Sequence, residues 1–320
     1  MNAKTKKIVF DITRLRVQGA SKAQQAAVQA LYWTAKESNA KTVPVFRKEL
    51  QKTGVALIQS RPTEPGLRTA VRIVWKESHQ KELSLEEMRW NVLEKCRLFS
   101  LEKERMLKRI AENGKKIIPA NAVVFTHCHS NTVEEILKKA RKKIGMVYCT
   151  ETRPLFQGRI TATNLSKAGI PVTQIVDSAA ATFIGKADLF LTGADAVLAN
   201  GNVVNKIGTR EISLAAQKEK VPHLVAASSH AFDPLTVFGW HEPIEERSWR
   251  EVWPKKPKKV RVLNVAFDET PAEMVKAIVS ELGVLKPKTF AERVEKELDL
   301  KHDSAEYKNM LRFLKTRGMV

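Results

Sequence analysis

The sequence has little of what several protein classes require. Its 320 residues include only three cysteines, Cys96, Cys128 and Cys149, an odd number whose spacing fits neither a disulfide framework nor a CxxC zinc site. No stretch approaches the ~20 apolar residues of a membrane span, and the first residues lack the apolar core of a secretory signal. Internal repeats and low-complexity segments are also missing. These absences predict a protein of the reducing cytoplasm, with no membrane partner.

The chain is strongly basic, with a formal net charge of +20 at pH 7. Clustered cations bind nucleic-acid backbones, but here the lysine pairs are spread over helix faces and loops. No zinc-finger spacing or aromatic RNA-binding signature accompanies them. A solvated basic surface is therefore favoured over a nucleic-acid interface, and the same positive field can attract small anionic substrates.

Hydrophobic periodicity divides the chain into two regions of different class. About the first 115 residues have the pattern of amphipathic helices. Ser84-Leu85-Glu86-Glu87 is a capping box that opens the longest of them, and Asn113-Gly114 predicts its end. The other predicted helices lie at 22–36, capped by Ser21, and at about 44–59 and 66–77.

Short apolar strands alternate with helices after Pro119, which predicts an α/β fold with a mostly parallel sheet covered on both faces. Strands are expected at 122–125, 146–149, 172–176, 189–191, 224–227 and 260–265. Helices are expected at 132–142, 160–168, 178–184 and 209–219, with another opening at Pro271. The predicted domains are a helical domain over 1–118, an α/β catalytic domain over 119–288 and a basic helical extension over 289–320.

Two reactive side chains follow buried strands, at the edge of the sheet where α/β proteins bind ligands. Cys128 stands between His127 and His129, and a thiol beside histidines or a helix N-terminus can serve as base or nucleophile. The alternative is an ordinary buried cysteine, which fits Cys96 and Cys149 well. Asp195 follows two small residues that permit close approach of a ligand.

Aspartates at strand ends also cap helices. Asp177, which ends the preceding strand, is interpreted as such a cap. From the residues alone, physical reasoning does not rank Asp195 above Asp177 as the catalytic carboxylate.

Several cationic groups are predicted near the same edge. Arg153, in the string Thr150-Glu151-Thr152-Arg153-Pro154, can hold a phosphate or carboxylate bidentately. Asn205 and Lys206 precede a glycine and a helix, an arrangement suited to phosphate. Arg61 lies in a turn of the helical region. Together these groups favour a site for an anionic substrate.

The strings THCHS, TETRP–QGR, GAD and NGxVVNKIGT, in this order, resemble the superfamily of aldose-phosphate isomerases and translation initiation factor 2B regulatory subunits. The resemblance covers roughly residues 10–288. Within the superfamily, the cysteine in THCHS is typical of the ribose-1,5-bisphosphate isomerase branch. The resemblance implies a helical domain followed by a Rossmann-like domain, and a homodimer or higher homo-oligomer.

The resemblance also implies an activity, the interconversion of ribose 1,5-bisphosphate and ribulose 1,5-bisphosphate, with Cys128 and Asp195 as the catalytic pair. It implies no metal or redox cofactor, and it allows a nucleotide effector such as AMP. Two positions depart from the isomerase pattern: Gln18 replaces an arginine and Ala231 replaces a lysine. These departures favour the alternative, a non-catalytic regulatory subunit that binds a nucleotide or sugar phosphate. The implied substrate-binding residues are Gln18, Gly19, Ala20, Arg61, His129, Ser130, Arg153, Asn205 and Lys206.

Overall fold

The structure is a computed structural model that describes residues 1–14, 16–17, 19–61, 64–78, 82–241 and 244–298. The chain divides into two compact units, Met1–Arg105 and a second that begins at Met106. The division falls inside a helix, Leu85–Ile117. Most of the predicted extension over 289–320, from residue 299 onward, lies outside the described residues.

The first unit is helical, as predicted. Its helices are α1 (Ala3–Thr13), α2 (Ala20–Lys36), α3 (Val43–Ser60), α4 (Pro65–Ser78) and the first part of α5 (Leu85–Ile117). Large apolar side chains such as Phe46, Leu50 and Leu57 are fully buried because they recur on one face of α3.

The helix starts in this unit are set by caps. Ser84 and Glu87 form the predicted capping box, with the Ser84 amide donating to Glu87 Oε2 at 2.9 Å. Helix α1, which the periodicity did not predict, is capped by Asn2, whose side chain accepts from the Thr5 amide at 2.8 Å. The prediction that Ser21 caps α2 is wrong. Gly19 holds the cap position with φ +87°, a conformation that glycine adopts without strain.

The second unit contains a seven-stranded sheet in the order β10-β9-β7-β4-β1-β2-β3, parallel except for β10. A smaller antiparallel sheet has the order β5-β6-β8. The strands are β1 (Ala122–Thr126), β2 (Ile144–Thr150), β3 (Val172–Ile175), β4 (Leu189–Gly193), β5 (Ala196–Val197), β6 (Val203–Lys206), β7 (His223–Ala226), β8 (Phe267–Thr270), β9 (Ala277–Ser280) and β10 (Gly283–Leu285). The helices are α6 (Asn131–Lys139), α7 (Gln157–Lys167), α8 (Ala180–Phe183), α9 (Thr209–Lys218) and α10 (Pro287–Glu297).

Alternating side chains of the central strands build a core on each face of the large sheet. Val124 of β1 packs in one cluster with Leu137 and Leu191. The next residue, Phe125, packs in the opposite cluster with Phe190 and Ile184. Because successive strand residues point to opposite faces, a continuous apolar run is buried on both sides. This confirms the predicted two-sided α/β architecture.

Helix α5 does not end where the sequence predicted. It continues through Asn113-Gly114 to Ile117. A Cβ on Gly114 would lie only 2.6 Å from the Ile136 side chain. The glycine therefore permits close packing of α5 against α6, and the prediction of a left-handed helix terminus is wrong.

The predicted strand over 260–265 is also wrong. Leu263 and Val265 are 59% and 38% exposed, and Val265 forms only an isolated bridge with Glu246. The ordered strand is β8, which pairs with β6 in the small sheet. After Pro271 there is a short 3-10 turn, Ala272–Met274, where the sequence predicted a longer helix.

Within the described ranges, no helix combines the length and the apolar character that crossing a bilayer requires.

Candidate functional site

Four chemically important residues occupy the same position relative to four strands. Cys128, Thr152, Asp177 and Asp195 each lie two residues beyond the ends of β1, β2, β3 and β4. These strands are adjacent and parallel in the order β4-β1-β2-β3. Their carboxyl ends therefore meet at one edge of the sheet, which is where open α/β sheets bind ligands.

The backbone of Cys128 is in the left-handed region, with φ +69°. Only a few per cent of residues other than glycine adopt this conformation, and here two threonine hydroxyls stabilise it. The Cys128 amide donates to Thr152 Oγ1 at 3.0 Å, and Thr161 Oγ1 donates to the Cys128 carbonyl at 3.1 Å. Both backbone polar groups of the cysteine are thus anchored, which fixes the direction of its side chain.

The turn after β2 is organised by Asp177. One carboxylate oxygen accepts from the Thr152 amide and the other from the Arg153 amide, each at 2.7 Å. Asp177 therefore ties the end of β3 to the loop that holds Cys128. Its interpretation as a helix cap is wrong, because both of its oxygens accept from amides of a neighbouring strand's loop.

Burial and nearby charges set the protonation of the Cys128 thiol. Burial is the main reason that its pKa is raised to about 11, and the negative charges of Asp195 and Asp177 act in the same direction. The Lys206 ammonium and the His129 amide oppose this and lower it. Cys128 therefore interacts with Asp195 and Lys206, so the structure brings together three residues that the sequence singled out separately.

Lys206 ends β6 in the small sheet and is buried, with its ammonium 4.9 Å from the centre of the Phe267 ring. Its neighbour Asn205 is also buried, and the Asn205 amide donates to Thr209 Oγ1 at 3.0 Å. Two strands of the small sheet, β5 and β6, thus bring Lys206 and the Asp195 segment together, since the Asp195 amide donates to the Val204 carbonyl at 2.9 Å.

The loop after Lys206 is held by an aspartate that the sequence did not single out. Asp268 accepts from the amides of Gly208 and Arg210, at 2.7 and 3.2 Å. Burial raises the pKa of Asp268 to about 6, against the lowering effect of these hydrogen bonds. Gly208 has φ +100°, so the turn needs a glycine.

His129 and Ser130 form hydrogen bonds within the protein. His129 Nδ1 lies 3.0 Å from Glu134 Oε1 and 3.2 Å from Thr161 Oγ1. Ser130 caps α6, accepting from the Val133 amide at 3.4 Å. Both residues are half-buried beside Cys128. Their roles in binding substrate stay predictions.

Arg153 is exposed, and its guanidinium donates to the Val252 carbonyl at 3.2 Å. Beside it, a narrow cleft is lined by residues that include Gln157, Lys206 and Arg247. Gln157 Oε1 and Arg247 Nε are buried polar atoms without a hydrogen-bond partner in the described part of the chain. Neither residue was among the predicted site residues. Gln157 belongs to the TETRP–QGR string, which was the available signal.

The remaining predicted residues belong to the first unit. Gly19 precedes α2, and Ala20 is its first residue. Arg61 follows α3, is buried, and forms an ion pair with Glu64 at 3.0 Å. Gln18 lies outside the described residues. The part of these four residues in binding a substrate stays a prediction.

Acidic and thiol groups do not gather into a metal site in the described ranges: no group of three His, Cys, Asp or Glu side chains could hold a metal ion there.

Known proteins of sequence and structure similar to this chain cover most of its length. A ribose 1,5-bisphosphate isomerase of Pyrococcus furiosus is 38% identical over 290 residues, covering 88% of this chain and 90% of that relative. The solved structure of a translation initiation factor eIF-2B of Pyrococcus horikoshii OT3 has a TM-score of 0.76 and 26% identity, covering 90% of this chain and 98% of that one. A 5-methylthioribose 1-phosphate isomerase of the same organism has a TM-score of 0.75 and 27% identity, covering 91% and 87%.

The family model matches residues 16–287, a range that includes every residue of the strand-end site. The predicted family is thereby confirmed: this chain belongs to the Initiation factor 2 subunit family.

Proposed function

We propose that this protein is an aldose-ketose isomerase that interconverts ribose 1,5-bisphosphate and ribulose 1,5-bisphosphate. The observation that carries the proposal is the interaction of Cys128 with both Asp195 and Lys206 at one edge of the sheet. An isomerase of a sugar 1-phosphate needs two groups that exchange protons and a cation for phosphate. The similarity to the isomerase of Pyrococcus furiosus supports the choice of substrate.

In this proposal Cys128 and Asp195 divide the proton transfers. One group protonates the ring oxygen as the bond between that oxygen and C1 breaks. Hydrogen then moves from C2 to C1, and the other group removes the proton that leaves as the C2 carbonyl forms. The hydrogen moves as a hydride, with the C2 hydroxyl proton removed, or as a proton through an enediol. Both routes leave phosphate on C1 and neither needs an external oxidant.

The cationic and amide groups hold the phosphates in this proposal. Lys206 and Asn205 serve one phosphate. Gln157 lines the same cleft as Lys206, and Arg153 lies beside that cleft. His129 and Ser130 contribute beside the thiol. From the first unit we assign binding roles to Gln18, Gly19, Ala20 and Arg61, on the motif resemblance alone. We also propose a cytoplasmic homo-oligomer with AMP as effector, in keeping with the family resemblance.

The test is an isomerase assay of the purified chain with ribose 1,5-bisphosphate, beside Cys128→Ser and Asp195→Asn. The parent should convert the substrate, and each variant should lose at least 100-fold in kcat, as expected for a lost general acid or base. Cys96→Ser and Asp188→Asn serve as matched controls, because Cys96 is a buried cysteine of α5 and Asp188 accepts from the Val123 amide. Equal losses in the controls would contradict the assigned roles.

The second candidate function is a non-catalytic regulatory subunit. The similarity to the initiation factor structure and the replacements Gln18 and Ala231 favour it. In that case the parent would be inactive on ribose 1,5-bisphosphate, ribose 1-phosphate and 5-deoxyribose 1-phosphate. It would still bind AMP or one of these sugar phosphates in calorimetry, and Lys206→Gln would weaken that binding.

A further inference from the structure

His127, next to the proposed catalytic cysteine, is buried with both ring nitrogens engaged. Its Nε2 lies 2.9 Å from the Ile207 carbonyl, and its Nδ1 lies 2.6 Å from Thr150 Oγ1. A carbonyl oxygen only accepts, so Nε2 carries the proton. Burial lowers the pKa of His127, which keeps the ring neutral. Nδ1 therefore accepts from the Thr150 hydroxyl.

The hydrogen bonds continue from Thr150 to the cysteine turn. Thr150 Oγ1 lies 3.4 Å from Thr152 Oγ1, and Thr152 Oγ1 accepts from the Cys128 amide at 3.0 Å. Since Thr150 donates to His127, its Oγ1 accepts from the Thr152 hydroxyl, which also lies 3.5 Å from the Thr150 carbonyl oxygen. The directions are consistent along the whole chain, from the Cys128 amide through two threonines to the Ile207 carbonyl.

This series of hydrogen bonds joins two parts of the site that are far apart in sequence. At one end it holds Cys128, whose left-handed backbone conformation needs support. At the other end it holds Ile207, the residue that directly follows Lys206. Gly208 completes the contact, because a Cβ there would lie 3.3 Å from His127 Nε2.

We propose that His127 is a positioning residue that sets the Cys128 turn and the Lys206 loop relative to each other through its two hydrogen bonds. The inference deepens the proposed function and rests on it for the kinetic part of its test. If His127 only filled the core, losing either hydrogen bond would have the same effect on the cysteine and on the Lys206 loop. If His127 is a positioning residue, losing the Thr150 bond affects the Cys128 turn and losing the Ile207 bond affects the Lys206 loop.

Two substitutions separate the two bonds. In His127→Gln the side-chain amide nitrogen takes the place of Nε2 and keeps the Ile207 bond, but the acceptor for Thr150 is lost. In His127→Asn the side-chain oxygen takes the place of Nδ1 and keeps the Thr150 bond, but Ile207 is out of reach. His223 is the matched control, because it is buried in β7 with Nε2 2.9 Å from Thr192 Oγ1 and Nδ1 2.9 Å from Ser213 Oγ.

The first readout is alkylation of Cys128 by iodoacetamide, followed by mass spectrometry, which does not depend on any enzymatic activity. His127→Gln should speed the alkylation at least fivefold, because a loosened turn exposes the thiol. His127→Asn, His223→Gln and His223→Asn should all keep an alkylation rate within twofold of the parent's. Thr152→Val should behave like His127→Gln and Thr152→Ser like the parent, which keeps the test valid if a histidine variant does not fold.

The second readout is the kinetics with ribose 1,5-bisphosphate. His127→Gln should lower kcat at least tenfold with KM within twofold. His127→Asn should raise KM at least fivefold with a smaller change in kcat, because the Lys206 loop is released. Identical effects of the two substitutions in both readouts, or equal effects of the His223 variants, would overturn the inference. An inactive parent would refute the proposed function, while the alkylation readout would still decide the inference.

Discussion

The raised pKa of the Cys128 thiol predicts how fast the thiol is alkylated, and whether removing each charged neighbour speeds or slows that reaction. Burial and nearby carboxylates raise the pKa from 9.0 to about 11. At pH 8.5 the thiolate fraction is then roughly 75-fold smaller than for an unperturbed thiol of pKa 9.0. Since the thiolate is the reactive form, Cys128 in the folded protein should react with iodoacetamide at least that much more slowly than in the urea-denatured protein.

The two neighbouring charges act in opposite directions. The negative charge of Asp195 raises the pKa of Cys128, so Asp195→Asn should increase its alkylation rate at pH 8.5. The positive charge of Lys206 lowers that pKa, so Lys206→Gln should decrease the rate. The exposed Glu112→Gln and Lys139→Gln substitutions remove an ion pair of the surface and should leave the rate unchanged.

The pH profile of alkylation separates ionisation from access to the thiol. For a thiol of pKa about 11 the rate should rise about tenfold per pH unit from pH 7.5 to 9.5, without a plateau. Poor access alone would lower the whole profile but keep its bend near pH 9.0, the pKa of an ordinary thiol, with the plateau above that pH. A bend in the profile at about pH 9 or below, a lower rate in Asp195→Asn, or a higher rate in Lys206→Gln would refute the reasoning from burial and charge.

Two further predictions concern the loops around the site. Gly158→Ala should lower the free energy of unfolding of the second unit by about 1–3 kcal/mol and reduce activity, because a Cβ there would overlap the Thr150 carbonyl. Urea denaturation measures the change in stability. Gly185→Ala is the control, because its Cβ would meet only the flexible Glu219 side chain. Asp268 has its pKa raised from 3.8 to about 6, so the folded state holds the proton more tightly and the stability from this group is lost as pH rises from about 3.8 to 6. Asp268→Asn should therefore become more stable relative to the parent over that range, and a constant difference in urea midpoint from pH 4 to 7 would contradict this.

Local sequence patterns were sufficient for most elements of the fold. Apolar runs located β1, β2, β3, β4 and β7 to within about two residues, and the capping box at Ser84 located the start of α5. These signals succeed because a buried strand and a helix start are set by residues close in sequence.

The errors share a physical cause. Gly114 resembles a helix terminus in sequence, but it lies inside α5 because its lack of a side chain makes room for Ile136. The run 260–265 has the composition of a strand, but its side chains are partly exposed and its backbone pairs only locally. In both cases the tertiary surroundings of the segment, and not its local preference, decided the conformation.

The sequence by itself determined the two fold classes along the chain, the strand ends, and the order of reactive residues that marks the family. Only the tertiary structure decided what those residues do to one another. It assigned Asp177 to the Thr152 loop, brought Lys206 from a second sheet to Cys128, and engaged both ring nitrogens of His127. The reason is that these relations depend on long-range strand order, burial and hydrogen bonding, and none of these produces a periodic pattern in the amino-acid sequence.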